Sequence, residues 1–264
     1  MDKIWLKNYP AGVPEDIHPE QYSSLTDLLE KAFREHGDAP FSVCMNRWMS
    51  YRELDTLSTA LGAWLQSQGL PAGSRVAIML PNVPQFSVTM AAVLRAGYTC
   101  VNVNPLYTAR ELEHQLKDSG ATAIVILENF AHTLAEVIGQ TQIRHVVLAA
   151  MGDLLGFWYG QWITFAVRHL AKMVPAFKLP LDGGLKVTGF NRAIAEGTAL
   201  TLRPSGANHE SIAFLQYTGG TTGLSKGAVL THRNVIAAIL QAEGEKLSAV
   251  LEAEGRSIAA AMGT

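Results

Sequence analysis

SRVAIMLPNVPQFSVTMAAVLRAGYTCVNVN, residues 74–104, reads as strand, helix, strand. SRVAIML is a buried apolar strand that ends at Pro81-Asn82. Pro84 suits the first turn of a helix, which carries the chain through PQFSVTMAAVLRAG. YTCVNVN is a second strand. The pattern repeats toward the C-terminus. Thr108 and Glu111 form a capping box ahead of ELEHQLKDSG, ATAIVIL is a strand, Asn129 is expected to cap a helix running through Val137, and HVVLA is a strand. Strands alternating with helices of about ten residues predict a parallel sheet with helices on both faces, a doubly wound α/β unit with right-handed crossovers.

Toward the N-terminus, Leu54, Leu57, Leu61, Trp64 and Leu65 line one side of a helix that opens on a Ser50–Glu53 capping box and stops at Gly69 and Pro71. FSVCMNRWMSY before it is hairpin-like. An earlier helix shows Leu25, Leu28, Leu29, Ala32 and Phe33 on one face and closes at Gly37. Residues 1–22, rich in Pro and Gly, form an extended lead-in.

With 264 residues the chain can bury a real core. Its net charge of −2 gives no reason to expect nucleic acid. Cys44 and Cys100 sit in apolar strand contexts and read as buried, reduced thiols; with no apolar leader at the N-terminus, they suggest a cytoplasmic address. No apolar run reaches the ~18 residues of a membrane span. His114, His132, His145, His169 and His232 are scattered, with no zinc-ligand spacing to a cysteine, and read as surface or core residues.

After Ala150 the alternation stops. LLGFWYGQWITFAVRHLAKMVPAFKLP, residues 154–180, is crowded with aromatics, and on a helix Leu155, Trp158, Trp162, Phe165 and Leu170 need a broad apolar arc. Two readings stay open. One is a helical insertion packed on the domain or on a partner. The other is a segment lying on a bilayer, with Phe157, Trp158, Trp162 and Phe165 dipping in and Arg168 and Lys172 meeting anionic lipid. LDGGLKVTGFNRAIAEGTAL, residues 181–200, reads as a loop with a short helix.

SIAFLQYTG and GAVLTH are two more strands, joined by GTTGLSK, and Thr231 or Asn234 can cap a final helix. Thr218 to Lys226 holds three glycines, three threonines, one serine and one lysine. Glycines let a backbone approach a ligand closely, successive N–H groups in such a turn form an anion nest, and the hydroxyls add donors. Lys226 adds a mobile cation; at about 4 Å and an effective dielectric near 20 one ion pair is worth roughly 4 kcal/mol before desolvation. The loop has no acidic residue to repel a polyphosphate. It is not the nucleoside-triphosphatase loop, which needs Gly before Lys and Ser or Thr after it; here Ser225 precedes Lys226 and Gly227 follows. No G-x-G-x-x-G is present either.

YTGGTTGLSKG resembles the phosphate-binding signature of the adenylate-forming enzymes, and each position from Leu215 to Lys226 fits it. VAIMLPNVPQF, AGYTCVNVNPLYTARELEHQLKDSGA and VPAFKLP are similar to the N-terminal half of bacterial long-chain fatty-acid–CoA ligases, over about residues 5–243. The resemblance implies that a carboxylic acid is activated with ATP and Mg2+ to an acyl-adenylate, and that coenzyme A then displaces AMP. It places Tyr217, Thr218, Gly219, Gly220, Thr221, Thr222, Gly223, Leu224, Ser225, Lys226, Gly227 and Ala228 at the nucleotide. Thr218 to Lys226 would embrace the β- and γ-phosphates, Thr218 would also ligate magnesium, and Tyr217 and Ala228 would form the site's edge.

Relatives continue into a second subdomain, a small barrel and a mobile C-terminal domain that carry the adenine and acyl pockets and the catalytic lysine. The chain is therefore expected to be a truncated N-terminal part of that fold. It would comprise the lead-in 1–22, a partial AMP-binding α/β domain over 23–243 with the insertion at about 153–180, and a divergent tail over 244–264. An apolar patch at its truncated edge would favour self-association. Two alternatives stand beside fatty-acid activation. One is an inactive remnant that binds membrane or a full-length partner; the other is activation of a short-chain or aromatic acid, or of an amino acid. The expected place is the cytoplasm, peripheral on the inner face of the membrane.

Overall fold

The computed structural model describes residues 3–4, 6–9, 14–180, 182–218 and 225–243. Helix α1 (Leu25–His36) starts where the Ser24 side chain accepts from the Asp27 N–H. Strands β1 (Pro40–Cys44) and β2 (Arg47–Ser50) pair antiparallel across Met45-Asn46, whose φ values of 46° and 60° supply the left-handed pair that a two-residue hairpin turn requires. The Ser50–Glu53 capping box opens α2 (Tyr51–Ser67).

The alternating unit follows as β3 (Arg75–Met79), α3 (Pro84–Arg95), β4 (Thr99–Asn102), α4 (Ala109–Ser119), β5 (Ala123–Leu127), α5 (Ala131–Val137) and β6 (His145–Ala149). Pro84 opens α3, and a Thr108–Glu111 capping box opens α4. Beyond β6 come α6 (Phe157–Phe165), β7 (Lys186–Gly189), α7 (Phe190–Gly197), and the hairpin β8 (Ile212–Thr218) and β9 (Lys226–Thr231). A last helix, α8, covers 232–243, with Thr231 and Asn234 bonded reciprocally at its start.

One seven-stranded sheet has the order β7-β6-β5-β3-β4-β8-β9. All pairs are parallel except β8–β9. The central strands are apolar throughout because both faces are covered. Val76, Ile78, Cys100 and Val125 face a core shared with α2, α3 and α7; Ala77, Met79, Val101 and Ile124 face another shared with α4 and α5. His232 ties the far end of the hairpin to α1, since the Leu25 N–H donates to its Nδ1 at 3.0 Å. Burial, with His209 nearby, lowers the His232 pKa and keeps the ring neutral for this contact.

Three sequence expectations change. Residues 181–200 hold a further strand–helix unit, β7 and α7, so the alternation resumes after the insertion instead of giving way to a loop. Asn129 does not cap α5: it sits in a 3-10 turn, and its Nδ2 donates to the Met173 carbonyl at 3.0 Å. Cys100 is fully buried, but Cys44, at the end of a short surface hairpin, is only half-buried; both thiols are free.

Candidate functional site

Because β8 runs parallel to β4, it delivers Thr218 to the carboxyl end of the sheet, where open α/β sheets carry their ligands. β9 returns antiparallel with Lys226 paired to Thr218. These two residues form the mouth of the glycine-threonine hairpin, and both are exposed, as are Gly227 and Ala228. Gly219, Gly220, Thr221, Thr222, Gly223 and Leu224 lie outside the described residues.

Helix α4 holds the mouth from both sides. The Tyr217 hydroxyl donates to Asp118 Oδ2, and burial together with this bond raises its pKa well above the ordinary phenol value, so it keeps its proton. One helical turn earlier, His114 Nε2 lies 3.1 Å from the Ser225 carbonyl. The spacing of four puts both side chains on one face of the helix. Gly227 gives the Tyr217 ring room, since a Cβ there would stand 3.0 Å from it. Beneath the mouth, Asn102 Nδ2 donates to Gln216 Oε1 at 3.0 Å and Gln115 Nε2 donates to the Asn102 carbonyl at 2.8 Å. His114 and Asp118 escaped the sequence reading, because a contact 111 residues away in the chain leaves no local pattern.

The aromatic segment is placed differently from the rest of the domain. Leu155 is buried ahead of α6, so it drops out of the apolar arc, while Trp158, Trp162, Phe165 and Leu170 face solvent. A π-helical turn, Ala166–Leu170, extends the helix. One of the two open readings set Arg168 against lipid; it makes a two-pronged ion pair with the buried Glu128, at 2.9 Å and 2.7 Å.

Asp153 fastens the start of this segment. Its Oδ2 accepts from the Ala150 N–H and its Oδ1 from Asn191 Nδ2, both at 2.7 Å. Burial pushes the carboxyl from its ordinary 3.8 up to about 6, with Glu128 adding to the shift and the Ala150 bond and Arg168 opposing it. An acid with a raised native pKa adds stability below its unfolded pKa and loses that contribution as pH rises through 6. The chain is therefore expected to lose part of its stability as pH rises from 4 to 8, and Asp153→Asn should remove that part of the pH dependence, in urea melts across that range.

An open parallel sheet with its loops gathered at the strands' carboxyl ends defines an α/β domain of the ligand-binding, doubly wound class. The family model described as "AMP-binding enzyme" matches residues 29–260, and the chain belongs to that family. It is 47% identical over 92% of its length to a long-chain-fatty-acid–CoA ligase of Yersinia pestis, and 47% identical over 91% to one of Escherichia coli O157:H7. The chain spans 42% of the length of each of those relatives. A crystal structure of a long-chain-fatty-acid–CoA ligase from Archaeoglobus fulgidus superposes with a TM-score of 0.64 at 25% identity, over 88% of this chain and 41% of that one.

Proposed function

We propose that this chain forms the phosphate-holding part of an ATP-dependent fatty-acid–CoA ligase, with 23–243 as its α/β domain and a long-chain acid as substrate. The observation that carries this is the hairpin mouth, where Thr218 and Lys226 face each other at the carboxyl end of a parallel sheet in an AMP-binding family member. Residues 217–228 hold the triphosphate. The acid's carboxylate attacks the α-phosphate, and Lys226 with the hairpin donors steadies charge on the departing pyrophosphate. Coenzyme A then takes the acyl group from the adenylate as a thioester.

Among the described residues no group of three His, Cys, Asp or Glu side chains could hold a metal ion. A magnesium ion carried in on the phosphates would be met by the Thr218 hydroxyl and would neutralise charge on the departing pyrophosphate.

Among the described residues no helix is long and apolar enough to cross a membrane. The reading places the chain peripherally on the inner face of the membrane, where long-chain acids are met. An inactive remnant that docks on a full-length partner is the second reading; the exposed Val229 on β9, an edge strand among the described residues, favours it, because such an edge is a template for association.

Pyrophosphate release with hexadecanoate, ATP, Mg2+ and coenzyme A, from this chain fused to the remaining length of the Escherichia coli relative, tests the first reading. Acid-dependent release is expected from the fusion, and ATP binding without the complete reaction from the chain alone, which spans 42% of that relative. Background release from a folded fusion would assign the chain the second reading.

A further inference from the structure

We propose that α6 and its π-helical turn lie flat on an anionic lipid surface, aromatic face down, and turn the carboxyl ends of the strands toward that surface. The helix is built inside out. Its inward stripe is Gly160, Thr164 and Arg168, four residues apart. The Gly160 and Gly152 backbones touch so closely that a Cβ on Gly160 would lie 2.2 Å from the Gly152 carbonyl oxygen. Arg168 is pinned by Glu128, and the Met173 carbonyl is held by Asn129. Backbone contact and polar bonds thus fix the segment to the domain, where a surface helix would ordinarily use its apolar stripe.

The apolar stripe points outward. Trp158, Trp162 and Phe165 follow one another at spacings of four and three, with Trp158 84% and Trp162 57% exposed. Trp162 stacks on Phe165 with centroids 6.0 Å apart, and Phe157, Leu170 and Met173 are exposed beside them. A contiguous apolar face of this kind marks a docking surface.

Charge selects the occupant. Residues 154–181 contain no Asp or Glu, and Lys172 and Lys178 are exposed beyond the aromatic stripe. A second copy docked by the same face would offer these cations no carboxylate, since residues 154–181 contain none. An anionic bilayer accepts both features, with aromatics at the headgroup boundary and lysines on the phosphates. Arg168 is already engaged, so Lys172 and Lys178 take the role that the sequence alone gave to Arg168 and Lys172.

The helix leaves the sheet after the carboxyl end of β6, and the glycine-threonine hairpin leaves it after the carboxyl end of β8. The strands are parallel, so both stand at the same end, four strand positions apart. At about 4.8 Å per strand the separation is about 19 Å. An acid drawn from the bilayer at the aromatic face is then on the side where its carboxylate is used. Only this last consequence rests on the fatty-acid reading; lipid docking does not.

Flotation of the full chain with phosphatidylcholine vesicles, alone or with a minority of phosphatidylglycerol, decides it. Co-flotation is expected with the anionic vesicles. Trp158→Glu with Trp162→Glu should lower partitioning roughly 100-fold or more, and Lys172→Gln with Lys178→Gln should remove the preference for phosphatidylglycerol. All four sites are exposed, so the melting temperature should hold. No flotation, or equal flotation of the tryptophan variant, overturns the proposal. So does a lipid-free dimer that the same tryptophan variant dissociates, since a second copy would then cover the face. Flotation of the chain, without pyrophosphate release from its fusion to the rest of the Escherichia coli relative, would leave the docking surface standing and remove the ligase reading alone.

Discussion

Lys226→Ala is expected to weaken binding of ATP, or of inorganic tripolyphosphate, about 100-fold. A charge-assisted hydrogen bond is worth about 1.5–3 kcal/mol net, and each 1.4 kcal/mol is a factor of ten. The upper part of that range applies because the flanks of the hairpin are held before any ligand arrives. Register places Lys226 opposite Thr218, Asp118 fixes Tyr217, and His114 fixes the Ser225 carbonyl. At these flanks the ligand has little ordering to impose, and preorganisation leaves more of the contact energy as affinity. Thr218→Val removes one neutral hydroxyl and should cost only about fivefold. Titration calorimetry at low and high salt measures both, and the wild-type affinity should fall as salt rises, because Lys226 is exposed to screening. Equal affinity in Lys226→Ala would remove the hairpin from the phosphate site.

The two ends of the loop show what sequence can and cannot carry. Glycine and hydroxyl spacing is a local property, so Thr218 to Lys226 could be picked out with no knowledge of the fold, while Tyr217, Gly227 and Ala228 came from the family resemblance. The struts beneath them could not, because His114 and Asp118 sit in an ordinary amphipathic helix and meet the hairpin only after the sheet forms. The same divide runs through the fold. Val76–Met79 and Ala123–Leu127 were legible because strands covered on both faces become continuous apolar runs. Strand β7 was not: Lys186–Gly189 is an edge strand of four residues with a single Val, partly exposed and ending in Gly. Asn129 has the residue type of a cap and the right place before an apolar run, yet the Met173 carbonyl, 44 residues on, takes its amide. The aromatic insertion was legible as an anomaly. Its inverted build was not, because the Gly152–Gly160 approach and the Arg168–Glu128 pair are tertiary contacts.

Gly197→Ala is expected to destabilise the chain by about 2–3 kcal/mol, although alanine is the better helix former. Gly197 ends α7 where it crosses α2. A Cβ there would lie 2.0 Å from the Ala60 carbonyl oxygen, 2.7 Å from its carbon and 3.1 Å from Trp64 Cβ. The obstacle is helical backbone, which cannot swing aside as a long side chain can. The helices must separate, and the Trp64 Nε1 bond to Glu196 Oε2, 2.9 Å, lies beside the contact and would stretch with it. Helix propensity returns at most about 1 kcal/mol. Overpacking a close interface costs about 1–3 kcal/mol and more when backbone must move, so the clash prevails. Gly139 provides the control: a Cβ there meets nothing within 4 Å, and its φ is not in the left-handed region. Gly139→Ala should stay within about 0.5 kcal/mol of the parent. Urea midpoints compare the two directly; a Gly197→Ala chain as stable as Gly139→Ala would show that α7 does not rest on α2 at this distance, and the crossover unit β7–α7 would have to be packed in another way.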